Sequence, residues 1–177
     1  EGNPFVDVHF GAEFRQGARV VDCAGFYDGD GSYKVRFMPD ALGAWSYRTR
    51  CNRPQLDGKE GSLQCVEPSS GNHGPVSVDG QFHFAYADGT PYRQIGTTCY
   101  AWVHQGDELA ETTLETLRSA AFNKLRMCVF PKNFTFSRNE PLYHPFEGTG
   151  PDDWDFTRFN PAFFRNLERR VGDLRDL

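Results

Sequence analysis

No run of apolar residues in this sequence approaches the roughly 20 that a helix needs to cross a bilayer, so no transmembrane helix is expected. Basic charge is short as well. Nineteen Lys and Arg face 24 Asp and Glu, leaving a net charge of −5. Nucleic-acid binders carry a basic face and a high isoelectric point, so neither nucleic acid nor a membrane is expected as a partner. No Walker loop, G-x-G-x-x-G, G-x-S-x-G or H-E-x-x-H occurs, which removes the phosphate-cradling, nucleophile-elbow and zincin signatures. Asp28-Gly29-Asp30-Gly31-Ser32 falls short of a calcium loop, because the twelve-residue spacing puts Pro39 where a bidentate Glu is required. It reads as a hairpin turn, and no metal site is expected.

Cysteine is sparse and unpatterned. Cys23, Cys51, Cys65, Cys99 and Cys128 form no C-x-x-C pair, and an odd number cannot all pair with one another. They read as reduced, small hydrophobic residues. With no charged-then-apolar leader at Glu1, a reducing, bacterial-type cytoplasm is expected; a leader ahead of Glu1 would make the protein secreted instead. Asn133-Phe134-Thr135 matches the glycosylation acceptor pattern, most simply by chance.

Aromatic residues, by contrast, are abundant: 16 Phe, 7 Tyr and 3 Trp among 177 residues. Disordered chains lack them, so a packed core is expected. Up to residue 66 the apolar positions recur with a period of two, the mark of a strand with one buried face. Val6, Val8, Phe10, Ala12 and Phe14 alternate with Asp7, His9 and Glu13; Tyr33, Val35 and Phe37 form a second set, and Trp45, Tyr47 and Thr49 a third. A weaker strand covers Leu63 to Val66. Asp28-Gly29-Asp30-Gly31, Pro39-Asp40 and Asp57-Gly58 supply turns between them. Short strands at this spacing, with no helical period, point to an all-β sandwich. Trp45 and Tyr47 sit on the apolar phase, so they read as core rather than as an exposed sugar-binding row.

Pro68-Ser69-Ser70-Gly71-Asn72-His73-Gly74-Pro75 is a linker by composition and sets the expected domains at 1–75 and 76–177. Beyond it the pattern changes. A hairpin over Phe82–Tyr86 and Tyr92 leads into an uncharged strand, Ile95–Tyr100. Ala110, Leu114, Leu117 and Ala121 then form a helical stripe with Asp107 as cap. Leu125–Phe130 reads as an apolar strand covered on both faces. The last helix opens with Asn160 as cap and Pro161 at its first position, with a stripe of Phe164, Leu167, Val171 and Leu174. Strand-helix-strand-helix describes two βα units of a parallel sheet. Two parallel strands cannot close such a sheet, so the chain is expected to be the front part of something larger.

Loops after the strands of an α/β fold line the ligand crevice. The 29 residues from Phe130 to Asn160 exceed the usual loop length. They hold Phe134, Phe136, Tyr143, His144, Phe146, Trp154, Phe156 and Phe159 beside Lys132, Arg138, Glu140, Asp152, Asp153 and Asp155. Rings that stack on apolar sugar faces, among charged groups that bond hydroxyls, suit a polyhydroxylated ligand. The plainer alternative is that the rings only pack the loop down. Tyr100, Trp102 and His104 share one side of the preceding strand end, where parallel barrels keep their active sites; here too a hydrogen-bonded structural His is the alternative. Tyr100, Trp102, His104, Lys132, His144 and Trp154 are therefore the substrate-binding candidates. Arg126 lies within an apolar strand, and a buried guanidinium needs an anionic partner. An ionised carboxylate nucleophile would serve, since a neighbouring Arg lowers its pKa.

Asn3-Pro4-Phe5, Gly25-Phe26-Tyr27-Asp28-Gly29-Asp30-Gly31, Tyr33-Lys34-Val35-Arg36-Phe37-Met38-Pro39 and Gly71-Asn72-His73-Gly74-Pro75 resemble the immunoglobulin-like β-sandwich that precedes many bacterial glycoside hydrolase barrels. Asp88-Gly89-Thr90-Pro91 through Gly96-Thr97-Thr98, with Tyr100-Ala101-Trp102, is similar to the hairpin and first strand of the attached (β/α)8, or TIM, barrel. Ala121-Phe122-Asn123-Lys124-Leu125-Arg126 is similar to its second strand, whose Arg bonds the nucleophile, a role the resemblance assigns to Arg126. Only two residues precede the Asn-Pro-Phe segment, where the family has a further strand. The resemblance implies a multidomain chain, all-β then α/β, from a glycosidase that cleaves O-glycosidic bonds with two carboxylates and retention, without a cofactor. In that family the carboxylates follow the fourth and seventh strands, which would place them beyond Leu177, so Glu140 and Asp152 are not candidates. The alternative is a non-catalytic carbohydrate-binding or structural β-sandwich module attached to an inactive barrel. Substrate identity and self-association are left open.

Overall fold

The computed structural model describes residues 2–132, 135, 138–150 and 152–177, which fall into two compact units, Glu1–His73 and Gly74–Leu177. Asn133, Phe134 and Phe136 lie outside the described residues. No helix among the described residues is long and apolar enough to cross a membrane.

The first unit is one antiparallel sheet in the order β3-β2-β1-β4-β5, built from β1 (Phe10–Gln16), β2 (Arg19–Gly29), β3 (Ser32–Val35), β4 (Gly43–Cys51) and β5 (Glu60–Cys65). Period-two alternation decides its faces. Phe14 lies between Val21 of β2 and Tyr47 of β4, and Trp45 faces Leu63 of β5. These residues, with Ala12, Val35 and Phe37, form the core, in which Trp45 is 0% exposed. The opposite row places Glu13 beside Asp22 and Arg48, and Arg48 beside Glu60, so the outer face is ionic.

The eleven-residue β2 is the device that closes this sheet over its own core. Its first half, Arg19–Ala24, pairs with β1; its second half, Gly25–Gly29, pairs with β3. The strand changes partner between Ala24 and Gly25, and β3 then returns Val35 and Phe37 to the core. There Phe37 stacks on Phe14 with ring centroids 3.9 Å apart. Gly25 makes the crossing possible: a Cβ there would strike the Phe10 ring and lie 3.0 Å and 3.1 Å from the carbonyl oxygens of Lys34 and Phe10. The sandwich expected for this half is thus a single curled antiparallel sheet. The Asp28–Gly31 segment is the turn between β2 and β3, with Asp30 in the left-handed region at φ 53°.

The described residues of the second unit form three two-stranded sheets: β6 (Val76–Asp79) with β7 (His83–Tyr86), β8 (Gly96–Thr98) with β9 (Lys124–Arg126), and β10 (Phe146–Glu147) with β11 (Asp155–Phe159). Its described helices are α1 (Asp107–Arg118) and α2 (Pro161–Arg175), and a 3₁₀ turn spans Trp102–His104. Among the described residues, the repeated βα units expected of a TIM barrel are absent. Only β8 and β9 run parallel among the described residues, and the one crossover through α1 is not repeated. The physical reason lies in two places. The apolar segment predicted as a strand to Phe130 is a strand only over Lys124–Arg126. The chain then enters the antiparallel β10–β11 hairpin instead of returning to the sheet.

Two helix details also differ from expectation. Gly106, not Asp107, occupies the N-cap of α1, leaving Asp107 in the first turn where a carboxylate favours the helix dipole. The buried residues of α2 are Phe163 and Arg170, whereas the predicted Val171 is exposed. The α2 cap is as expected: Asn160 Oδ1 accepts from Ala162 N at 3.0 Å, ahead of Pro161. The core gathers Trp102, Val103, Ala110 and Leu114, with Leu167 and Leu174 packed against them.

Candidate functional site

The site elements converge where β8 and β9 end. Asn123 sets their register from below: its Oδ1 accepts from Ile95 N at 2.7 Å and its Nδ2 donates to Arg93 O at 2.8 Å. Gly96, Thr97 and Thr98 then lie beside Lys124, Leu125 and Arg126. The pairing runs past the strands, with Cys99 N donating to Arg126 O and Cys128 N to Tyr100 O, both at 2.9 Å.

At this exit the Arg126 guanidinium lies 5.5 Å from the Tyr100 ring centroid, close enough for cation–π attraction. Both side chains are exposed. The burial expected for Arg126 is therefore not observed, because β9 holds only three residues and has β8 as its partner among the described residues. Arg126 also borders a groove of about 410 Å³ shared with Gln94, Thr98 and Lys124. Lys132 is exposed.

Beneath this surface, Trp102 and His104 are buried. Trp102 donates from Nε1 to Ala110 O at 3.3 Å, and the guanidinium of Arg170 lies 5.7 Å from its ring. Arg170 is 0% exposed. It donates to Asp107 Oδ1 at 2.7 Å, with Glu111 and Asp173 each 3.7 Å away. The Arg169 guanidinium, and after it Arg170, hold the Asp107 carboxyl below its ordinary pKa. His104 is 8% exposed and lies nearly parallel to Phe163, centroids 6.0 Å apart. Burial pushes its pKa down, backbone bonds to Cys128 and Phe130 oppose this, and His144 adds to the fall.

The long connection packs mainly on itself. Phe130 stacks on both Phe146 and Phe163, and Phe146 meets Phe156 and Phe159 at 5.1 Å and 5.2 Å. His144 and Trp154, both half-buried, pair at 4.7 Å. Asp153 and Asp155 are occupied in turn bonds to Thr149 and Thr157. Asn160, read from sequence only as a cap, also donates to His144 O at 3.0 Å, tying α2 to the hairpin. Gln105 was missed altogether. It is buried, donates to Ala101 O, and accepts from Asn139 Nδ2 at 2.8 Å. The structure thus brings Tyr100 to Arg126 and Trp154 to His144, while Trp102 and His104 are buried. Among the described residues no group of three or more His, Cys, Asp or Glu is placed to hold a metal ion.

Comparison with known proteins adds three findings. No curated protein matches the chain. Residues 1–52 match a family model described as a domain of unknown function, DUF5060. Over 99% of its length the chain is similar, at 43% identity and a TM-score of 0.94, to the crystal structure of a proposed glycoside hydrolase from Bacteroides vulgatus ATCC 8482, of which it spans 36%.

Proposed function

We propose that this chain is part of a glycoside hydrolase that cleaves O-glycosidic bonds in oligo- or polysaccharides. The observation that carries the reading is the 43% identity maintained across 99% of the chain with a proposed glycoside hydrolase. The strand exit has suitable chemistry. The exposed Tyr100 ring offers a face for an apolar sugar surface, and Arg126 and Lys132 offer donors to hydroxyl oxygens. His144 and Trp154 form a second aromatic edge.

The hydrolysis would use two carboxylates about 5–5.5 Å apart, one as nucleophile and one as acid and base, with retention of configuration. They would come from the part of a longer protein that the B. vulgatus relative has and this chain does not span. In that setting Arg126 would keep the nucleophile ionised. The five free thiols fit a reducing compartment.

The test is an assay of the full-length protein on a panel of aryl glycosides and polysaccharides, with the product anomer read by NMR. Turnover with retention is the expected outcome; no turnover on any substrate overturns the reading. Arg126→Gln is expected to lower kcat/KM at least about tenfold, the loss of one charged hydrogen bond of roughly 1.5–3 kcal/mol.

A further inference from the structure

Gln105 carries a buried amide whose orientation is decided by its partners. The side chain is 8% exposed, and both of its polar atoms are bonded. One arm lies 3.1 Å from Ala101 O. A carbonyl oxygen can only accept, so that arm is Nε2 and it donates. The same oxygen uses its other lone pair on His104 N, at 3.0 Å. Oε1 is thereby fixed on the opposite arm, where it accepts from Asn139 Nδ2 at 2.8 Å. Asn139 stands 34 positions further along the chain, on the long connection after β9.

That bond orients the Asn139 amide in turn. Nδ2 is committed to Gln105, and Oδ1 is the other arm of the same plane. Asn139 is exposed, and among the described residues its Oδ1 accepts no hydrogen bond. Breaking the bond would strand the buried Gln105 Oε1 without a donor, at the full desolvation penalty of that atom. The amide is therefore held in one orientation. The relay from Ala101 through Gln105 to Asn139 begins at the residue after Tyr100 and ends on an acceptor open to solvent. Arg126 and Lys132 can only donate. A sugar hydroxyl also has a proton to give, and an acceptor must meet it.

We infer that Asn139 is a further binding residue of the site, its Oδ1 accepting from a substrate hydroxyl, and that Gln105 is the positioning residue that presents it. The identity of the ligand as a sugar rests on the function proposed above; the relay itself does not.

The experiment is a calorimetric titration of the full-length protein with neutral di- and trisaccharides of glucose, xylose, mannose and galactose. NMR of the side-chain amides in the 177-residue chain accompanies it. At least one saccharide is expected to bind, and Asn139→Ala should weaken that binding roughly two- to tenfold, the worth of one neutral hydrogen bond. Gln105→Leu should weaken it by the same factor and the double variant no further, because Gln105 acts through Asn139. In the NMR spectrum Gln105→Leu should move the Asn139 side-chain amide signals while the Trp102 indole signal stays in place. Additive losses, undiminished affinity in Asn139→Ala, unmoved Asn139 amide signals, or no binding of any saccharide overturns the inference. Glu140→Ala removes the neighbouring exposed acceptor, which has no bond to Gln105, and should leave affinity unchanged; an equal loss there refutes the assignment. Turnover with undiminished affinity in Asn139→Ala would sink this inference and leave the glycosidase reading standing. Binding that depends on Asn139 in a protein without turnover would do the reverse.

Discussion

The two units solve the burial problem in opposite ways. In the first, strands of 7, 11 and 9 residues (β1, β2 and β4) cover one another, and the inner face ends in a single aromatic core around Trp45. In the second, no strand among the described residues exceeds five residues, and large apolar side chains remain in solvent: Phe82 is 84% exposed and Phe156 68%. Long strands let one face be apolar and the other ionic, which is how Glu13, Asp22, Arg48 and Glu60 come to share a row. Short strands give up that economy, and the core of the second unit is made instead where α1, α2 and the 3₁₀ turn meet. It even encloses a cation, Arg170, whose Nε and Nη1 find no hydrogen-bond partner. Its nearest carboxylate, Asp107, is 69% exposed, so this is a buried cation with a partner in solvent and is weak evidence of stability.

Substitutions can break the contrast in graded steps. The largest effect is expected at Trp45. Trp45→Ala empties the centre of the curled sheet and should lower stability by about 3–5 kcal/mol, read as a fall in the denaturant midpoint with the slope preserved. Leu114→Ala, at the equivalent place in the second core, should remove roughly 2–5 kcal/mol; a much smaller loss would mean that this core collapses around the gap and is less tightly packed than the first. Asn160→Ala removes the α2 cap and should weaken the helix by about 1 kcal/mol, while also releasing the backbone at His144, visible as increased amide exchange there. The smallest effect is expected on the ionic face. Arg48→Ala breaks an exposed pair with Glu60 at 3.5 Å and should change the melting temperature by the equivalent of less than about 1 kcal/mol. A large loss there would make the outer row structural.

Acid sharpens the same comparison. His104 has a lowered pKa in the fold, so the unfolded chain binds more protons once pH falls below about 6.5. Stability of the second unit should be full above that value and decline as pH falls toward the folded-state midpoint. His104→Asn should flatten the decline, as followed by thermal melts across pH.

The sequence was legible where a local rule had no competitor. Alternation placed Ala12, Phe14, Trp45 and Tyr47 correctly, because a one-sided strand repeats every two residues whatever its partner is. Asn160-Pro161 announced α2, because cap and first turn are set by adjacent residues. It was misleading where the outcome depended on a distant partner. Leu125–Phe130 is apolar enough for a long strand, but how far it stays one depends on β8, which gives way to a 3₁₀ turn after Tyr100. The face of α2 was misjudged because a charged residue, Arg170, is turned inward. Its burial follows from Trp102, Asp107 and Glu111, more than 50 positions away. The β10–β11 hairpin escaped notice because Phe156 and Phe159 fall on opposite phases and leave no alternation to see. For the site, the sequence shows the aromatic content of the connection, but its described rings, Phe146, Trp154, Phe156 and Phe159, pack on neighbouring rings.

One consequence follows from the handover in β2. Since its two halves answer to different neighbours, a single inserted or deleted residue within Arg19–Ala24 would turn the inward side chains of one half outward while leaving the other correct. Length variation in this unit should therefore collect in the segments between strands, with the residue count of β2 itself held invariant.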